Sequence, residues 1–386
     1  LVLSRSTGEG HNHVALALRE SFELAGHECE VRDALWVGDP SQRDADSGEL
    51  LSADAAKPSS EADVASRLYG WAALKIPWAF GATYNMGAAY ARTRIPSPIR
   101  LHNERFTEAT HAYIEEHQFD VVVATHTFPM ETMAAVRRRY PSSVRYYGVL
   151  TDYTCTPFFS EARVDGYFIP HPDMAADCIR QGLLTDRTYA LGLPVRRSFR
   201  EVVDKDTTRT ALGLPIGTPL FLIMSGGVGG FYLGRVCDQL LGDGGENTHV
   251  VVLTGRREDL FTAIAGKYRV DSRVTVVPFT DRVREYMAAA DVMLSKAGAV
   301  SSTEAAVAGL PLIHTGAIPG GETKNARFFA EHGMSLYTQN PYEAGRLAYR
   351  LQADERQVAR MRDHQAKNIL PNGADRIVTQ VEDIRG

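Results

Sequence analysis

The chain has 386 residues, of which 44% are apolar and 23% charged, and a formal net charge of −5. That length suits two domains of ordinary size, and the acidic balance argues against a general nucleic-acid binder. Cys29, Cys155, Cys178 and Cys237 form no CxxC pair or metal spacing, which points to reduced thiols in a cytosolic setting, and no apolar run reaches the ~20 residues that span a bilayer.

The chain opens on Leu1, without a methionine and inside a strand, so residues are expected upstream. Leu1–Leu3 reads as a strand end. A loop with Gly8, Gly10 and His11 follows, then a helical pattern from Val14 to Leu24. Loops of this kind hold ligands in doubly wound sheets. There is no G-K-[ST] of a Walker loop and no full G-x-G-x-x-G. A neutral imidazole at a helix start either caps the helix or serves as base or hydroxyl ligand. His27–Asp33 alternates as a second strand, and Gly38 to Asp63 reads as loop. Asp44-Ala45-Asp46 matches D-x-D but lies in that loop, without strand context, so no metal is expected at the active site.

The segment 64–106 carries seven aromatics, Trp71 and Trp78 among them, and six basic residues against one acid, Glu104. Aromatics mixed with Lys and Arg on helical pieces suit an anionic membrane surface; a buried hairpin with a solvated basic face is the other reading. Ile76-Pro77 divides the segment into two helical pieces.

Phe119–Thr125 is a buried parallel strand that ends in His126-Thr127-Phe128, with a helix expected from Pro129 to Arg139. Arg137-Arg138-Arg139 complements that helix dipole or reaches lipid headgroups, the former being favoured. Tyr146–Leu150 is another strand, and Asp152 after it is either a loop cap or a second acid/base group. A further strand-and-helix unit follows at Gly166–Gly182, and Arg187–Ala190 is a strand. The domain boundary is expected near Arg197–Lys205, giving domains 1–198 and 199–373, with a last helix, 374–386, returning to the first.

The second half restarts at the strand Pro219–Met224. Gly226 and Gly227 lie in a Gly-rich turn before a helix, where backbone N–H groups can reach a diphosphate. His249–Leu253 ends near Arg256 and Arg257, either of which suits phosphate oxygens. After the short strand Asp291–Leu294 comes Lys296-Ala297-Gly298 and a helix opening with Ser301, Ser302 and Thr303. Its N-terminus suits an anion, and Glu304 beside it suits a ribose, whose hydroxyls it can accept from. Pro319-Gly320-Gly321-Glu322 repeats the arrangement after the next strand.

Together K-A-G-x(5)-E-A-x(3)-G-L-P at 296–311 and P-G-G-E-x-x-N-A at 319–326 resemble the donor signature of a glycosyltransferase group. That group includes the peptidoglycan N-acetylglucosaminyl transferase and the monogalactosyl- and glucosyl-diacylglycerol synthases. G-E-G-H at 8–11, T-F-P-M at 127–130, L-T-D-Y at 150–153 and G-L-P-V at 192–195 extend the likeness over nearly the whole chain. The resemblance implies an α/β fold of GT-B type, two facing Rossmann-like domains with a cleft between them. It implies an inverting transfer of a hexose from a UDP-sugar to a lipid, diacylglycerol foremost, by a cytoplasmic protein peripheral on the inner face of the membrane. No cofactor is implied. His11 would be the base or its partner and Asp152 its assistant. Gly226, Gly227, Ser301 and Ser302 would hold the diphosphate, Glu304 the ribose, Phe279 and Thr280 the uracil, and Glu322 with Asn325 the sugar. Arg256, Lys296, Gly298, Gly320 and Gly321 complete the donor set. Gly8, Gly10, His126, Phe128, Trp71 and Trp78 would face the acceptor or membrane. Gly321 stands where relatives carry Gln, and K-A-G-A replaces K-P-G-G, so the donor sugar stays open. A UDP-sugar 2-epimerase and a UDP-sugar-responsive regulator are the competing readings.

Overall fold

The apolar runs become parallel strands in two sheets. The computed structural model describes residues 1–5, 9–38, 97–156, 158–224, 233–244, 247–317 and 319–385. The chain forms two compact units, one of Leu1–Arg196, Pro319–Gly321 and Pro371–Gly386, the other of Arg197–Ile318 and Glu322–Leu370.

The first unit runs β1 (Val2–Ser4), α1 (Glu9–Leu24), β2 (Val31–Asp33), α2 (Ala34–Gly38), α3 (Pro98–Asn103), α4 (Thr107–Glu116), β3 (Val121–Ala124), α5 (Thr127–Arg139), β4 (Arg145–Val149), β5 (Gly166–Ile169), α6 (Ala175–Arg180) and β6 (Thr188–Ala190). Its sheet order is β2-β1-β3-β4-β5-β6, with every pairing parallel. The order reverses between β1 and β3. In open parallel sheets such a switch point opens a crevice outside the strands' carboxyl ends.

The second unit runs α7 (Lys205–Leu212), β7 (Leu220–Met224), α8 (Leu233–Gly244), β8 (His249–Leu253), α9 (Glu258–Lys267), β9 (Val274–Val277), α10 (Val283–Ala289), β10 (Val292–Ser295), α11 (Ala299–Val307), β11 (Leu312–His314), α12 (Gly321–Glu331), β12 (Leu336–Tyr337), α13 (Pro341–Ala353) and α14 (Glu355–Asn368). Its sheet order is β12-β11-β10-β7-β8-β9, again parallel, with the switch between β10 and β7. Strands β7 and β8 are buried almost throughout, as parallel strands covered by helices on both faces must be. The last helix, α15 (Gly373–Arg385), packs on α1 in the first unit.

Several boundaries differ from the sequence reading, and helix α1 begins at Glu9, five residues before the expected Val14. Helix α5 starts before Pro129 because His126 caps it, its Nδ1 accepting the Phe128 N–H at 3.0 Å. The strand expected over His27–Asp33 is confined to Val31–Asp33. Among the described residues no helix is long and apolar enough to cross a membrane.

Candidate functional site

In the first unit the switch point is occupied by histidines. His11, on the first turn of α1, and His126, at the cap of α5, stand edge to face with ring centroids 4.6 Å apart. His11 Nδ1 lies 2.8 Å from Thr125 O and 3.0 Å from Thr151 Oγ1. A carbonyl oxygen only accepts, so Nδ1 carries the hydrogen and neutral His11 keeps its lone pair on Nε2. His126 has the opposite tautomer, since its Nδ1 accepts from a backbone N–H. Its Nε2 is therefore an N–H donor. One ring can take a proton; the other can donate a hydrogen bond.

Both imidazoles are held neutral. Burial lowers the His11 pKa, while the charge of Asp152 and the bond to Thr125 act in the raising direction. Burial, then repulsion from the charge His11 gains on protonation and from Arg5, drive the His126 pKa well below its ordinary value. Arg5 is itself buried, pairs with Asp33 at 3.5 Å, and lies over the Phe128 ring at 5.8 Å. Phe128 also meets Phe106, centroids 5.4 Å apart. The first unit thus brings together His11, Asp152, His126 and Phe128, with Gly10 beside His11 at the start of α1. Gly8, Trp71 and Trp78 lie outside the described residues, as does most of segment 64–106.

The second unit's switch point follows β10. Gly298 caps α11, and the first-turn N–H groups of that helix have no intrahelical acceptor. Ser301 is half-buried there. Ser302 corrects the sequence reading. Its hydroxyl lies 2.9 Å from His314 Nε2, its N–H bonds to Gly298 O at 3.0 Å, and it is fully buried. It therefore braces α11 from inside and is not turned toward a diphosphate. Glu304 is buried on the next turn of α11. Lys296 Nζ and Glu322 Oε1 pair at 2.5 Å, so the two act as a unit. Asn325, also buried, donates from Nδ2 to Ala297 O at 3.3 Å and holds the turn before α11. Gly320 has φ +112, a backbone state that suits glycine, and Gly321 opens α12. Arg256 covers the Phe279 ring, its guanidinium carbon 4.0 Å from the centroid, and Thr280 Oγ1 accepts from Arg282 N at 3.1 Å. Gly226 and Gly227 lie outside the described residues.

Residues 61–195 match the family Monogalactosyldiacylglycerol (MGDG) synthase, and residues 223–377 match the Glycosyltransferase family 28 C-terminal domain. Both halves of the chain thus resemble the diacylglycerol glycosyltransferases and their wider family. Among the relatives of this glycosyltransferase, a processive diacylglycerol beta-glucosyltransferase of Bacillus licheniformis is 26% identical over 305 residues, covering 77% of this chain and 76% of that one. The Bacillus pumilus enzyme of the same description is 23% identical over 99% of this chain and 94% of its own. A probable monogalactosyldiacylglycerol synthase 2 of Oryza sativa subsp. japonica is 30% identical over 53% of this chain and 45% of its own. The solved structures show the fold. MurG of Acinetobacter baumannii superposes with TM-score 0.61 at 15% identity, covering 99% of this chain and 98% of that one. The UDP-GlcNAc 2-epimerase of Neisseria meningitidis superposes with TM-score 0.63 at 11% identity, covering 99% and 98%. The fold of the glycosyltransferase is thus of GT-B type, shared by transferases and epimerases.

Sequence reasoning missed Thr125, Thr151 and His314. Thr151 stands next to Asp152 and was within reach of it. Thr125 acts through its carbonyl, which no side-chain pattern announces.

Proposed function

We propose that this chain moves a hexose from a UDP-sugar to a membrane lipid, with diacylglycerol as the acceptor, and works peripherally on the cytoplasmic face of a membrane. The match of residues 61–195 to the MGDG synthase family carries this reading, because the fold alone is common to epimerases as well. In the proposed reaction His11 Nε2 takes the proton of the acceptor hydroxyl as that oxygen attacks the anomeric carbon. The bond from that carbon to the UDP oxygen breaks on the opposite face, and UDP departs with the electron pair. Asp152 stabilises the imidazolium that forms. Positioned bases of this kind contribute roughly 10²–10⁴-fold. In the second unit the first turn of α11 receives the diphosphate, together with the backbone of Gly226 and Gly227 read from the sequence, Glu304 the ribose, Phe279 and Thr280 the uracil, and Glu322 with Asn325 the sugar end.

The test offers radiolabelled UDP-glucose, UDP-galactose and UDP-N-acetylglucosamine to the protein with diacylglycerol in anionic liposomes, followed by lipid extraction. Label in the lipid phase with one donor is expected and names the sugar. Protein that binds UDP but labels no lipid with any donor sinks the diacylglycerol reading. Acceptor-independent interconversion of UDP-N-acetylglucosamine would replace it with the epimerase.

A further inference from the structure

One buried imidazole holds α11 from the side. His314 ends β11, is fully buried, and is bonded at both ring nitrogens: Nε2 to Ser302 Oγ at 2.9 Å and Nδ1 to Ser335 Oγ at 3.2 Å. Its ring also lies edge-on to Phe329 of α12, centroids 5.6 Å apart. Burial pushes its pKa down to about 3, so the ring is neutral at any working pH. A neutral imidazole offers one N–H and one lone pair, and each hydroxyl can meet either. Ser302 stands just past the first turn of α11, and Ser335 immediately precedes β12.

The neighbouring bonds give this bridge a purpose. The turns after β10 and β11 are stitched by Thr315 N to Ser295 O at 2.9 Å and Ala297 N to Gly316 O at 3.2 Å. Asn325 adds its bond to Ala297 O from α12. Lys296, the cation of this turn, is already paired with Glu322. Backbone N–H groups of α11 are then the donors this turn offers a diphosphate, and such donors act only when held where the charge will lie.

We infer that His314 is a positioning residue for the donor: through Ser302 it fixes the first turn of α11, and through Ser335 it ties that turn to the β12 edge of the sheet. The inference rests on the donor reading of the second unit given above. Loss of the bridge leaves two buried hydroxyls unpaired and lets the turn shift, and a misplacement of about 1 Å can cost on the order of 10²-fold.

The experiment uses the full chain. UDP affinity is measured by calorimetry, and KM separately for donor and lipid acceptor, in wild type, His314→Leu, His314→Gln and Ser335→Ala. His314→Leu is expected to weaken UDP binding roughly tenfold or more, with the donor KM rising alike and the lipid KM within about twofold. His314→Gln keeps a donor and an acceptor and should recover most of the affinity. Wild-type UDP affinity in His314→Leu overturns the inference. So does a His314→Gln variant as impaired as His314→Leu, or a parallel rise of both KM values. If His314→Leu does not fold, Ser335→Ala carries the test, because that hydroxyl lies on another element and is joined to Ser302 of α11 through the His314 ring. About threefold weaker UDP binding is expected from it, and unchanged binding overturns the inference. Wild-type protein that binds no UDP overturns the donor reading instead.

Discussion

His11 titrates under opposed influences: burial lowers its pKa, and the charge of Asp152 and the Thr125 carbonyl raise it, with burial prevailing. Protonation removes the Nε2 lone pair, so activity should fall as pH drops through a pKa below the ordinary 6.5. Asp152→Asn deletes a raising influence, and the acid limb of kcat/KM should therefore move to still lower pH. His11→Ala should lose roughly 10²–10⁴-fold in turnover while UDP affinity is retained. An acid limb that does not move in Asp152→Asn would mean that the carboxylate's charge does not reach the ring; wild-type turnover in His11→Ala would end its role as base. His11 was legible in the sequence because a Gly-containing loop between a strand and a helix marks a crevice. The inward turn of Ser302 was not. Adjacent helix positions are about 100° apart, so a one-residue uncertainty in where α11 starts decides which hydroxyl faces out. His314 was hidden for a related reason: in L-I-H it reads as the polar end of a buried strand, and its two serine partners are 12 and 21 residues away.

At the scale of elements, α5 carries an unresolved tension. Glu131 is fully buried on it, and among the described residues neither carboxyl oxygen has a hydrogen-bond partner. Burial, together with the charge of Glu161, pushes its pKa up to about 8 against the opposing charges of Arg138 and Arg100. The folded chain therefore holds a proton that the unfolded chain releases near pH 4.5, the ordinary value. Folding binds protons across this window, so stability is fully present below about 4.5 and declines as pH rises toward 8, by on the order of 3–5 kcal/mol. In Glu131→Gln the ionisation is gone. Its melting temperature relative to wild type should climb steadily between pH 5 and pH 8, and a difference that stays flat would mean Glu131 ionises freely in the folded state. The sequence showed α5 as a helix with basic residues in its last turn, and the structure gives Arg137 a partner in Asp165. The start of α5 was less legible, since a histidine cap lies outside the Ser, Thr, Asp and Asn pattern of helix starts. The parallel strands were the clearest elements, because burial on both faces writes a continuous apolar run such as Val250–Leu253.

For the whole molecule, the first unit is completed by residues from the far end of the chain. Ala374, Ile377, Val378 and Val381 are buried on one face of α15 at helical spacing. Ser21 Oγ of α1 donates to Asp375 Oδ1 at 2.8 Å, and His27 Nε2 lies 2.8 Å from Glu382 Oε1. Gly373 is needed for the approach: a Cβ there would come within 2.8 Å of the Gly192 carbonyl carbon. The exposed His27–Glu382 pair adds little. The apolar face adds much more, since each large aliphatic side chain buried is worth roughly 1.5–3 kcal/mol. Three of them approach the whole stability of an ordinary domain, about 5–15 kcal/mol. A chain ending at Leu370 should therefore unfold its first unit first. The expected result is two thermal transitions, the lower one shifted down by ten degrees or more (about 2–4 °C per kcal/mol at this domain size). Lipid transfer should be lost with it, because His11 stands on α1, the helix that α15 covers. UDP affinity should stay within about threefold of the full chain's, since α7 to α14 and their sheet are untouched. A truncated chain that melts and transfers sugar like the full one would mean α15 only rests on the surface of α1.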